Sequence, residues 1–155
     1  MPLYLLRLQN NYELWFVLLM ALLMPHISMA ETFNIESSCQ ISKGIYQENV
    51  THLTTVISLI NEFGSDRPTF LFKEAKAKKD FVERMEALFD SYGITLQDHL
   101  AFAHDNKSEI DAYLSQHEEL KQEIEDSRSR AEDLSIQYDQ FLQSYGIRGV
   151  PETGE

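Results

Sequence analysis

Apolar residues recur along most of this chain at intervals of three and four, the spacing that gathers side chains on one face of a helix. Ile45 or Tyr46, Val50, Leu53, Val56, Ile57, Ile60 and Phe63 follow that rule. They predict a helix from about 38 to 63, capped by Ser37 or Ser38. Gly64 is expected to stop it in the left-handed conformation, and Ser65-Asp66-Arg67-Pro68 reads as the turn after it. A second helix is expected from about Thr69. Leu71, Ala75, Val82, Met85, Phe89 and Tyr92 form its inward stripe, with Phe81 and Leu88 beside it, and Lys73, Lys76, Lys78, Lys79 and Arg84 lie on the other face.

Ser91-Tyr92-Gly93-Ile94 ends this second helix, and the same tetrapeptide recurs as Ser144-Tyr145-Gly146-Ile147. Both read as Schellman stops, in which a left-handed Gly lets the following Ile fold back onto Phe89 or Leu142. The repeat is one of stop chemistry, not of duplication. Thr95 through Asp98 can cap a short connector helix with Leu96, Leu100 and Ala103 turned inward, and the polar stretch from His104 to Ser108 breaks or bends the path into the last helix. Beyond it the steps Ile110, Tyr113, His117, Leu120, Ile124, Ser127, Ala131, Leu134, Tyr138, Phe141 and Tyr145 run without a skip. They predict a long straight helix with a narrow, coiled-coil-like seam. At about 1.5 Å per residue it would outrun its neighbours. Only Glu123 with Arg128 offers complementary flanking charge, so packing within the chain is favoured over a parallel homodimer.

The fold expected is all-α: an up-and-down bundle of three main helices plus a short connector, spanning residues 31–149. Residues 150–155, Val-Pro-Glu-Thr-Gly-Glu, are expected to be a disordered tail. The amino-terminal residues have a different character. Leu14 to Met24 is an uninterrupted apolar run of about 16 Å as a helix, too short for a hydrocarbon core of about 30 Å. Pro25 breaks it, and Ser28-Met29-Ala30 places small residues before Glu31, so residues 1–30 read as a signal peptide cleaved after Ala30. An uncleaved anchor is the alternative, because Arg7 is offset by Glu13 and the span from Leu14 to Ala30 is marginal. Cys39, nine residues past that cut, is badly placed for lipidation. As the only cysteine it is read as a buried thiol in preference to an intermolecular bridge. Asn49-Val50-Thr51 and Asn106-Lys107-Ser108 match the glycosylation sequon, which matters only in a eukaryotic secretory pathway.

Charge and chemistry narrow the function by exclusion. Hydrophobic residues make up 43% and charged residues 25% of the 155, a globular balance. Acidic residues outnumber basic ones 25 to 13, which disfavours nucleic acid. Between Asp105 and Asp139 there are eleven acidic and four basic residues, whereas Lys73 to Arg84 holds five basic and three acidic. Solvated faces explain this, and a basic partner for the acidic face is the sharper alternative. With six glycines, several used as helix stops, no nucleophile site or phosphate loop is visible and no cofactor is expected. His99 and His104, with Asp98, Asp105, Glu109 and Asp111 nearby, suggest a metal site, but two ligands on one helix face need separations of three or four. Solvated polar residues at a helix joint are the preferred reading.

The expectation is an exported, periplasmic or secreted, non-enzymatic protein that binds another protein: an adaptor, a chaperone-like holder or an assembly factor. Self-association is one form such binding could take, and membrane contact would come only through an uncleaved amino-terminal segment. A small metal- or ligand-binding protein using His99 and His104 is the alternative. The densest apolar part of the last seam, Leu134, Tyr138, Phe141, Leu142 and Tyr145, is the expected binding surface.

Overall fold

A computed structural model describes residues 33–147, so the segment read as a signal peptide (1–30) and the tail expected at 150–155 lie outside the described residues. Among the described residues five helices succeed one another: α1 (Ile35–Phe63), α2 (Arg67–Asp90), α3 (Leu96–Asp105), α4 (Lys107–Gln116) and α5 (Glu118–Ser144). No strand occurs among the described residues. The chain is all-α with a long last helix, as its periodicity predicts. Among the described residues no helix is long and apolar enough to cross a membrane.

The boundaries follow from capping chemistry. Asn34, not Ser37 or Ser38, caps α1: its side chain accepts the Ser37 N–H at 2.9 Å, freeing both serines to lie inside the first turn. Asp66 accepts the Thr69 N–H at 3.3 Å and the Thr69 hydroxyl at 2.7 Å, so α2 begins at Arg67 with Pro68 in its first turn, where a missing N–H is harmless. α3 carries a full capping box. Thr95 N–H donates to Asp98 at 2.9 Å and Asp98 N–H donates to the Thr95 hydroxyl at 3.1 Å. Gly93 and Gly146 have φ of 66° and 65°. In both, the next Ile returns its N–H to the carbonyl five residues back, Phe89 at 3.3 Å and Leu142 at 2.8 Å, completing the two Schellman stops.

Gly64 is different. Its φ of −58° is right-handed, so it is not the left-handed stop expected of it. A Cβ there would overlap the Ile60 carbonyl oxygen and come within 2.9 Å of the Tyr145 ring. Close approach of the Ile60 carbonyl and of the Tyr145 ring, not backbone handedness, is what this position requires of a glycine.

Pairs across the bundle fix the topology. Gly44 with Leu88, Glu48 with Arg84 and His52 with Phe81 run in opposite senses along α1 and α2, which are therefore antiparallel. Lys43 pairs with Glu123, Arg128 and Glu132 lie near Tyr46, and Gly64 lies against Tyr145, so α5 runs parallel to α1. The result is an up-down-up bundle with α1 central, and α3 and α4 close over the beginning of α1.

Its core has two parts. One joins Leu53, Val56 and Ile60 of α1 to Phe70 and Ala77 of α2 and to Ala131, Tyr138 and Leu142 of α5. The other joins Ile41 to Met85, Phe89 and Ile94, with Phe33, Ile45 and Leu96 packed around them. In the first half of α2 the buried stripe is Phe70, Glu74 and Ala77, so Leu71 and Ala75 face outward, contrary to the expected register. Fully enclosing an aromatic ring removes more apolar surface from water than enclosing Leu71, and Glu74 tolerates burial because Tyr138 and Lys78 partner it.

The long seam also departs from one expectation. Its residues from Ile110 to Phe141 are buried or half-buried except His117, where the helix breaks with φ −125° and ψ 63°. A polar imidazole in an apolar seam turns back instead. Its ring stacks on Tyr113 at 3.9 Å, and Nδ1 lies 2.8 Å from the Tyr113 carbonyl, the acceptor that a continuous helix would give to the His117 N–H. The N–H goes to Leu114 at 3.2 Å instead. The break leaves α5 with 27 residues, about 40 Å, against 29 in α1, about 44 Å. The last helix therefore does not overrun the bundle.

Candidate functional site

The carboxy-terminal end of the seam divides by exposure. Tyr138 and Leu142 are buried, and Leu134 and Phe141 are half-buried against the same cluster. The Tyr138 hydroxyl donates to the Glu74 carboxylate, and Lys78 Nζ lies 3.1 Å from the same oxygen, so a polar bridge ties α2 to α5 inside the core. Tyr145 remains 39% exposed, one edge of its ring lying over Gly64. α1 and α2 thus cover most of this cluster, and a partner meeting the bundle in this conformation reaches Tyr145 but not Tyr138 or Leu142.

The sequence pattern did not disclose the more exposed apolar residues at the same end. Phe72 is 75% exposed and Leu71 beside it is 42% exposed, within two turns of the start of α2. Both the α1–α2 turn and the end of α5 are at this end of the bundle. The signal was present in the spacing Phe70, Glu74 and Ala77, which is as helical as Leu71 and Ala75, but the acidic residue in its middle disguised it.

Beyond Phe72 a shallow groove runs along the α1–α2 junction, with a volume of about 220 Å³. Leu59 and Ala77 form an apolar floor, while Lys73, Lys76 and Arg84 supply cationic walls and Asp80 a single carboxylate. Arg84 Nε is paired with Glu48 at 2.6 Å, and Lys73 Nζ lies 4.4 Å over the Phe63 ring.

The histidines expected to share a metal do not converge. His99 is 3% exposed and His104 is exposed. His99 is thus not one of the solvated polar residues expected at the joint; it takes the inward position that Leu100 was expected to hold. Phe33 and Phe89 flank its ring at 6.4 and 6.2 Å between centroids. Its Nε2 lies 3.4 Å from the Ser42 hydroxyl, which itself donates to the Ser38 carbonyl at 3.0 Å. Ser42 can therefore only accept from Nε2–H, which assigns the neutral tautomer and leaves Nδ1 as a buried acceptor without a partner. Burial pushes the His99 pKa down to about 4.

Cys39 is buried, as its solitary position suggested, and burial, then the nearby Glu36 carboxylate, raises its thiol pKa. The Ser42–His99 contact has no orienting acid on Nδ1, and neither residue lines the groove, so the pair lacks the geometry of a nucleophile and base. Asp98 is engaged by Thr95 in the capping box. Among the described residues no three of His, Cys, Asp and Glu come close enough to hold a metal ion. Comparison with protein-family models, with curated proteins and with solved structures finds no match, so the functional reading rests on this chain's own surface.

Proposed function

We propose that this is an exported, non-enzymatic helical protein that acts by binding another protein, as an adaptor, a chaperone-like holder or an assembly factor. The observation that carries the reading is the pair Leu71 and Phe72, held outward on α2 at the bundle end that also carries Tyr145. Scattered single apolar residues are normal on a surface, but adjacent exposed side chains that include an aromatic ring are the material of interface anchors. Of the seam residues, Tyr145 is exposed at the same end of the bundle, while Leu134, Tyr138, Phe141 and Leu142 pack in or against the core. Export to the periplasm or outside the cell is argued from the apolar run at Leu14–Met24 and the small residues before Glu31, all outside the described residues. The alternative of metal or ligand handling by His99 and His104 gains no support from one side chain turned into the core and another in water.

The test is capture by the immobilised protein from the cells that make it, with Leu71→Ser/Phe72→Ser alongside. A discrete species retained by the wild type and lost from the variant, at unchanged helicity and melting temperature, is expected. Equal retention by both would overturn the assignment of the surface.

A further inference from the structure

We infer that the groove between α1 and α2 receives an acidic segment of the partner protein, one that sets carboxylates against Lys73 and Lys76 and an apolar side chain against Phe72. This rests on the protein-binding reading and adds the chemistry of the partner.

Cations are unevenly paired across the fold. Acid is plentiful in this chain, and Lys43, Lys78, Lys79, Lys107 and Lys121 each have a carboxylate partner. Lys73 and Lys76 are the two lysines that make no ion pair among the described residues, and both line the groove. They stand three apart on α2, and Phe72 stands four before Lys76, so all three crowd the same side of the helix. Among the described residues Asp80 is the only carboxylate lining the groove. In a chain of net charge −12, the described lining of this groove thus holds more cations than acids, even with Arg84 paired to Glu48.

Size selects the occupant. A groove of about 220 Å³ between two helices is too small and shallow to enclose a cofactor, which takes several hundred cubic ångströms. A peptide laid across it needs no enclosure: its backbone stays in solvent while its side chains reach the cationic wall and the apolar floor of Leu59 and Ala77. Electrostatic complementarity of this kind, between exposed charges, is screened by counterions, so binding should weaken with salt.

Fluorescence anisotropy of a labelled glutamate–leucine peptide with the purified protein tests this, using a lysine–leucine peptide of equal length as control. The acidic peptide is expected to bind, and Lys73→Glu/Lys76→Glu to weaken it by about tenfold or more. Asp80→Asn, which removes the opposing carboxylate, should tighten it. Both variants alter exposed or half-exposed side chains, and circular dichroism melts establish that each is folded. No preference for the acidic peptide, or an affinity that charge reversal leaves unchanged, would overturn the inference. If that happens while Leu71→Ser/Phe72→Ser still abolishes capture of the cellular species, the acidic-segment inference fails and the protein-binding surface stands.

Discussion

Acid should destabilise this protein through His99. In the unfolded chain an imidazole titrates near 6.5, whereas burial between Phe33 and Phe89 holds the folded group down to about 4. The unfolded state therefore takes up the proton first as pH falls. The neutral ring's contribution is complete above pH 6.5 and is lost progressively between 6.5 and 4. A difference of that size corresponds to a slope of about 1.4 kcal/mol per pH unit and a loss of about 3 kcal/mol across the window, a large share of the stability of a small domain. Urea denaturation followed by circular dichroism at pH 7, 6 and 5 measures it. His99→Gln, which keeps a side-chain N–H for Ser42 but does not titrate, separates His99 from the other histidines. Wild type should lose stability over this range by about 1 to 2 kcal/mol more than the variant. Parallel pH dependences, or an NMR titration placing the His99 pKa near 6.5, would refute the reasoning.

Further outcomes rest on the same geometry. Gly93→Ala should cost on the order of 1 kcal/mol because its φ of 66° disfavours a Cβ, and Gly64→Ala should cost more, since its Cβ meets Ile60 and Tyr145; equal melting temperatures for the two would contradict this ordering. Tyr138→Phe removes the hydroxyl that donates to buried Glu74 and should cost about 1–3 kcal/mol in chemical denaturation; a neutral result would show that Glu74 reaches water. Tyr138→Ala should cost about 3–5 kcal/mol, so it acts on stability before it acts on binding. Mass spectrometry of exported material should give an amino terminus at Glu31, and intact Met1 in a membrane fraction would show an anchor instead.

Periodicity, two of the glycine stops and the Thr95 cap were legible in the residues because they are local. The three-and-four spacing located α1 and the run now divided between α4 and α5, though it read that run as one unbroken helix; Thr95 with Asp98 announced the start of α3, and Gly93-Ile94 and Gly146-Ile147 marked two helix ends whose conformation depends on a single glycine each. Features that could not be read depend on contacts distant in sequence. Phe70 and Leu71 are equally helical positions, and only α5, arriving with Tyr138 to satisfy Glu74, decides which of them is enclosed. Gly64 looks like a left-handed stop until Tyr145 is known to lie on it. His99 looks solvated until Phe33, Ser42 and Phe89 surround it. The exposed Phe72, and Lys73 and Lys76 without ion pairs, were hidden for the same reason, since a surface is defined by the area that the rest of the fold leaves uncovered.

The central claim, that the protein works by presenting the Leu71 and Phe72 end of the bundle to a partner, is tested most directly by site-specific photo-crosslinking in the cells that make it. A photoreactive residue at position 72 is compared with one at Ser129, an exposed polar position on α5. A discrete adduct of defined mass from position 72 and none from position 129 is the result expected. No adduct from 72, or the same products from both positions, would contradict the account.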